Sequence, residues 1–311
     1  MKNKKINLNM ICIWLLAALY IIMPQYFSFE ISASFPSFTA SRMIIIFCFC
    51  VVFFQMFKKK EFTIPNLGEY KVLYYFAAII ILANIFHMGT GFSYSVKAIL
   101  AVILENLLLV FLMYFLVDTR EKVHLFIRIF VWTSVVVAVI AFIEFFTSVN
   151  LFYFLTTTDR TAFQAAYVRL GMTRAEASFG HPVYYGVYCT CILPFSMYLY
   201  ESLNQKRYLI ITAINLAAIV ASGTRGSMLI AGVLLLVMFV CKSKEAQKKY
   251  YVPISIGAVS CLALILFVPA VRNYVFEMIK TIMNAFGLGL EITNDFGGTL
   301  YEYIGKSKAL E

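Results

Sequence analysis

Apolar residues run through this chain in long blocks, and charged residues collect in the short gaps between them. The blocks cover about 10–29, 42–57, 72–88, 98–117, 124–146, 182–200, 208–221, 227–241 and 251–271. Each approaches the about 20 residues a helix needs to cross about 30 Å of hydrocarbon. The pattern predicts an all-α polytopic membrane protein with about nine transmembrane helices. Short gaps among the first five blocks make neighbouring helices antiparallel in a bundle.

Two stretches break the rhythm. The interval 147–181 is too long for a simple hairpin and is expected to fold as an outer loop. Thr158-Asp159 predicts the cap of a short helix presenting Phe163, Ala166, Tyr167 and Leu170, stopped by Gly171. Thr173-Arg-Ala-Glu176 matches a capping box, and Gly180-His181-Pro182 predicts entry into the sixth span with proline in its first turn. After the last block, Val271, Tyr274, Val275, Met278, Ile279, Ile282, Met283 and Phe286 recur at helical spacing, opposite Arg272, Glu277, Lys280 and Asn284. That pattern predicts an amphipathic helix lying in the outer membrane–water interface, broken by Gly287, Gly289, Gly297 and Gly298. A second helical piece is expected at about 299–310. The chain thus divides into a multi-span domain, 1–271, and an interfacial segment, 272–311.

Composition agrees and adds orientation. The chain is 62% hydrophobic and 14% charged, with a net charge of +10. With the N-terminus inside, the cytoplasmic segments carry Lys2, Lys4, Lys5, Lys58, Lys59, Lys60, Lys71, Arg120, Lys122, Lys206, Arg207, Lys242, Lys244, Lys248 and Lys249, nearly all lysine. The outer segments carry Arg42, Arg160, Arg169, Arg174, Arg225 and Arg272 beside Lys97, Lys280, Lys306 and Lys308. The positive charge therefore reads as topology, and no nucleic-acid footprint stands out. The first block follows three lysines as a signal peptide would, but it is long and lacks a small-x-small cleavage site, so it is read as a span. Seven cysteines, all in or at the ends of apolar blocks, predict no disulfide framework, and the two C-x-C pairs point to different helix faces.

Arginine outside and lysine inside is the chief chemical clue. A guanidinium is a planar fork that binds phosphate oxygens in pairs, whereas an ammonium is a point charge. Arg225 lies in the small, polar turn Ala221-Ser222-Gly223-Thr224-Arg225-Gly226-Ser227 between two apolar helices. Gly223 and Gly226 let the backbone approach a ligand, and Ser227 opens the next helix, whose first N–H groups favour an anion. The bland alternative is a tight turn whose arginine anchors at headgroups, with the loop arginines snorkelling or pairing with Glu176. His181 is a candidate base or a helix-entry residue. Glu105 and Asn106 are expected to face the bundle interior, and Glu144 to share that cavity and pair with a loop arginine. No glycine-rich nucleotide loop follows a strand, no D-x-D acidic pair lies outside, and no Ser-His-Asp set is suggested. Neither a metal nor a cofactor is expected.

Two stretches resemble the O-antigen ligase and O-antigen (Wzy-type) polymerase superfamily. Arg174-Ala-Glu-Ala-Ser-Phe-Gly-His-Pro-Val-Tyr-Tyr-Gly186 is similar to the family's G-x-F-x-[HN]-P-x-x-x-G entry to a span, and Ser222-Gly-Thr-Arg-Gly-Ser227 to its S-x-S-R-[GS] turn. The resemblance implies a GT-C-like, metal-independent glycosyltransferase of the bacterial inner membrane, N-terminus cytoplasmic. Such an enzyme moves a glycan from undecaprenyl pyrophosphate to a sugar hydroxyl on the outer face, among other polysaccharide assembly proteins. It also implies that Arg225 holds the pyrophosphate, with Arg174 and Arg169 helping. Ser222, Gly223, Gly226, Ser227 and Glu176 support them. The resemblance covers the family's front two-thirds. The later loop with a further arginine and, in ligases, the catalytic histidine is missing, and His181 is not that histidine. A truncated frame or fragment is therefore the expectation, with 272–311 as the start of the missing catalytic loop, and an inactive fragment stands among the alternatives. Two rivals stand beside this reading. A transporter or flippase for lipid-linked glycans predicts internal repeats and broken spans with ionisable residues at the midplane. A scaffold in an export complex predicts that Arg225→Lys is silent.

Overall fold

The computed structural model describes residues 8–24, 26–29, 37–60, 68, 70–157, 167–169, 172–245, 247–248, 266–267, 269–285, 287–290 and 298–299. They form two compact units. The first comprises Met1–Thr133 with Phe154–Asp159, and the second Ser134–Tyr153 with Arg160–Glu311.

In the first unit, α1 spans Leu8–Ile22 with a π-helical middle at Leu15–Leu19. Two short strands, β1 (Ser28–Phe29) and β2 (Phe38–Thr39), pair antiparallel and deliver the chain to α2, Ala40–Lys59. Thr39 caps α2: its Oγ1 accepts from Arg42 N at 3.3 Å. Lys58 and Lys59 sit in the last turn, where the helix dipole favours cations, and Lys60 ends the helix in the left-handed region, φ 57°. Helix α3 spans Lys71–Phe86, and α4 spans Gly91–Leu116 with a π-helical stretch at Val102–Leu107. The core joins Cys12, Ile13 and Leu16 of α1 to Ile45, Cys48 and Val52 of α2 and to Leu112 and Leu116 of α4. If lipid surrounds such helices, they gain from dispersion and fit more than from water release, since lipid tails are as apolar as leucine.

Helix α5, Arg120–Thr147, begins in the first unit and ends in the second. The second unit continues through a 3-10 turn, Leu151–Leu155, to a small sheet of β3 (Tyr167–Arg169), β4 (Met172–Thr173) and β5 (Gly298–Thr299), ordered β4-β3-β5 and antiparallel throughout. Helices α6 (Pro182–Leu203) and α7 (Arg207–Ala221) form a hairpin through Asn204, which takes φ 51°. Ser196 Oγ and Thr212 Oγ1 meet across it at 2.8 Å. Asn215 Nδ2 donates to Ser134 Oγ of α5 at 2.9 Å. Helix α8 is Arg225–Val240 and α9 is Pro269–Ala285.

The described chain is mostly helical, and three of its helices, α2, α4 and α5, are long and apolar enough to cross a membrane. Phe53, Phe54 and Phe57 of α2 and Val136, Val139 and Phe146 of α5 leave large apolar side chains exposed, suited to lipid contact. α1, α3, α7 and α8 are apolar but shorter. α6 has the length, but Tyr184, Tyr185, Tyr188, Tyr198 and Tyr200 dilute its apolar character. Residues 251–265 and 268 of the block at 251–271 lie outside the described residues, and its last three residues open α9.

Several local expectations are corrected. Tyr167 belongs to a strand, not to a helix stopped at Gly171; the proposed cap at 158–159 lies outside the described residues. Thr173 is paired in β4 and starts no helix, so the capping-box reading of 173–176 fails. Thr299 is in β5 rather than a second helical piece. Asn106 is exposed, and Glu105 is not enclosed either. Its carboxylate, 40% exposed, takes Arg42 Nε at 2.8 Å. The amphipathic helix at 271–286 is α9, with Phe276, Ile279 and Met283 exposed and Lys280 paired to Glu277.

Candidate functional site

Most of the predicted site residues meet where α6 begins and α7 turns into α8, all within the second unit. His181 is the extended residue that caps α6: its Nδ1 accepts from Val183 N at 3.1 Å, and Pro182 follows at the first helical position. One turn later, α6 comes against the turn at Gly186. A Cβ there would lie 2.8 Å from Ser222 Oγ, 2.9 Å from Ser227 Oγ and 3.1 Å from Thr224 Cβ. Glycine is what allows the approach.

The turn itself is knit from its own hydroxyls. Gly223 reverses the chain with φ 61°. Ser222 Oγ donates to Ile219 O at 2.7 Å and accepts from Thr224 N at 3.3 Å. Thr224 Oγ1 donates to Pro182 O at 3.1 Å, fastening the turn to α6. Thr224 does not cap α8 with its side chain. Arg225 is the first residue of that helix and is half-buried; Gly226 beside it is exposed, and a Cβ there would meet nothing within 4 Å. Ser227 Oγ is buried and finds no hydrogen-bond partner among the described residues.

Arg174 reaches the same turn from the loop. Its Nε donates to Ser222 O at 3.0 Å and its Nη2 to Thr224 Oγ1 at 3.4 Å. The adjacent Ala175 N donates to Ala221 O at 3.0 Å. Arg174, Ser222, Gly223, Arg225 and Ser227 thus come together, with Gly226 on the open side. Arg169 lies in β3 with its backbone paired to Met172; its side chain is outside the described residues. Part of Arg174's fork is spent on the turn, a bracing role that sequence reading did not assign. Thr224, whose hydroxyl fastens the turn to Pro182 O, was also missed, since a partner 42 residues away leaves no local signal.

Glu176 and Glu144 are both buried, and neither forms an ion pair among the described residues. Glu144 Oε2 accepts from the backbone N–H of Glu176 (3.2 Å) and Ala177 (2.9 Å), which replaces the expected arginine partner. Glu176 Oε1 accepts from Tyr153 OH at 2.6 Å and lies 3.5 Å from Asn150 Nδ2. Burial pushes the Glu176 carboxyl up to about 7, partly offset by the hydrogen bonds from Tyr153 and Asn150. Ala177 holds a left-handed φ of 50°, at the place of the first glycine in the G-x-F-x-[HN]-P pattern. His181 packs on Tyr167 and Tyr184 at ring distances of 5.0 and 5.5 Å. Its pKa is pushed below the ordinary value, first by burial and then by the charge of Arg174. With Nδ1 engaged as a cap acceptor, His181 is a helix-entry residue.

No family model matches the chain, and comparison with curated proteins and with solved structures finds no match.

Proposed function

We propose that the chain is a lipid-linked-glycan glycosyltransferase of the O-antigen ligase and polymerase kind. In this reading it is a GT-C-like bundle of about nine spans in a bacterial inner membrane, N-terminus cytoplasmic, with the 221–227 turn on the outer face. The observation that carries the reading is the meeting of two arginines at one turn before a helix start, one bonded to the turn by its guanidinium and the other the first residue of the helix. Arg174 is fixed to Ser222 and Thr224, and Arg225 opens α8 beside the open flank at Gly226. Planar donors, first-turn N–H groups and a small backbone suit the two phosphates of undecaprenyl pyrophosphate. The left-handed Ala177, at a glycine position of the motif, adds independent support.

In the transfer, the acceptor sugar's hydroxyl oxygen bonds to the anomeric carbon, and that carbon's bond to the pyrophosphate oxygen breaks. The leaving diphosphate gains negative charge, and Arg225 neutralises it as it forms. The acceptor's proton passes to a base that the described residues do not assign. The test is glycan transfer in membrane vesicles carrying the protein and a lipid-linked donor. Arg225→Lys retains charge but loses the fork, so transfer falls by at least about tenfold at unchanged protein level. Transfer equal to wild type would remove the pyrophosphate role and favour the scaffold reading.

A further inference from the structure

The segment 173–177 is fastened on both sides. Toward the 221–224 turn it gives the two guanidinium hydrogen bonds of Arg174 and the backbone bond from Ala175 N to Ala221 O. Toward the end of α5 it is held by a second set. Glu144 Oε2 collects the adjacent N–H groups of Glu176 and Ala177, Asn150 Nδ2 donates to Ala177 O at 2.9 Å, and the Ser148 and Thr173 hydroxyls meet at 2.6 Å. Two successive N–H groups thus converge on one oxygen, beside a left-handed Ala177; a neutral apolar side chain at 144 would leave both of them buried and unmatched.

We infer that Glu144 is a positioning residue: it anchors the loop so that Arg174 is held against the turn carrying Arg225, and it acts on the anion site through that loop. The inference rests on the pyrophosphate reading for what the site holds, but the anchoring stands on its own geometry. Glu144 is 3% exposed, and its carboxylate takes its hydrogen bonds from the loop backbone. A purely structural carboxylate would support the fold everywhere alike. An anchor of this kind couples to two particular peptides, 174–177 and 221–225.

The experiment compares wild type, Glu144→Leu and Glu144→Gln in detergent by amide hydrogen exchange and by affinity for inorganic pyrophosphate. Glutamine keeps an acceptor oxygen for the two N–H groups; leucine does not. Glu144→Leu is expected to speed exchange at least about tenfold in both 174–177 and 221–225, while α1 and α2 exchange as before, and to weaken pyrophosphate at least about tenfold. Glu144→Gln is expected to restore both readouts to within about threefold of wild type. Unchanged exchange in 221–225 with Glu144→Leu, or a glutamine variant as impaired as leucine, overturns the anchor. Should Glu144→Leu not fold, Asn150→Ala removes the donor to Ala177 O and is expected to change the same two peptides to a smaller extent; no change there overturns the inference equally. A wild type that does not bind pyrophosphate counts against the ligand reading alone, and the exchange result still decides the anchor.

Discussion

Adding one methyl group at Gly186 tests whether α6 and the 222–227 turn are in the contact described. The new Cβ would stand 2.8 Å from Ser222 Oγ, 2.9 Å from Ser227 Oγ and 3.1 Å from Thr224 Cβ. Ordinary carbon–oxygen contacts need several tenths of an ångström more. The neighbours cannot all swing away cheaply. Ser222 Oγ is held by Ile219 O at 2.7 Å, and Thr224 is tied to Pro182 O at 3.1 Å; moving either sacrifices a bond worth about 1 kcal/mol. Overpacking of a close contact costs about 1–3 kcal/mol, and alanine's better helix propensity at this position of α6 offsets about 0.5–1 kcal/mol of it, so Gly186→Ala is expected to lose about 1–2 kcal/mol net. In a thermal unfolding scan in detergent, this is a drop of about 2–3 °C, since an unfolding entropy of about 2.1 cal/mol/K per residue over 311 residues gives about 1.5 °C per kcal/mol. Gly226→Ala is the matched control, because nothing lies within 4 Å of its Cβ position. As alanine is the better helix former, that variant is expected to be neutral or more stable by up to about 1 kcal/mol. Gly186→Ala melting with wild type, or Gly226→Ala losing as much as Gly186→Ala, would refute the packing argument.

Three further outcomes follow from the loop. Ala177→Gly relieves a left-handed alanine costing about 1–2 kcal/mol, less glycine's own entropic cost, and is expected to raise the melting temperature slightly; a clear fall would contradict the assigned backbone. Glu176 binds its proton more tightly folded than unfolded, since burial raises it from 4.5 to about 7. Its neutral form therefore stabilises the fold fully below about pH 4.5, and that advantage drains away as pH rises to about 7, a total of about 3 kcal/mol. Glu176→Gln, which cannot ionise, should consequently gain on wild type in melts between pH 5 and pH 8, and a constant difference would remove the buried-acid account. His181→Ala is expected to lose about 1 kcal/mol, the worth of a helix cap, and to leave the pH profile of transfer unmoved. A shifted profile would make His181 more than a cap.

How much of this was legible depends on which forces act locally. Strong apolar blocks fixed the helices closely: 42–57 appears as Ala40–Lys59, 208–221 as Arg207–Ala221 and 227–241 as Arg225–Val240. His181-Pro182 was readable because a cap and a first-turn proline are decided within a few residues. The loop misled for the opposite reason. Thr173 and Glu176 have capping-box spacing, but Thr173 pairs with Val168 and the Glu176 carboxylate goes to Tyr153, partners that local spacing cannot reveal. Strands of two or three residues carry no usable alternation. Glu144 was expected to face the bundle cavity and take a loop arginine, but its partners are the backbone N–H groups of Glu176 and Ala177, 32 and 33 residues further along the chain. The π-helical stretch around Glu105 likewise leaves no signature in hydropathy.

The most direct test of the central claim is the affinity of the purified protein for undecaprenyl pyrophosphate, measured beside undecaprenyl monophosphate for wild type and Arg225→Lys. The account predicts that wild type prefers the diphosphate and that Arg225→Lys loses that preference, binding both lipids alike. Equal binding of the two lipids by wild type, or a preference that survives Arg225→Lys, would contradict it.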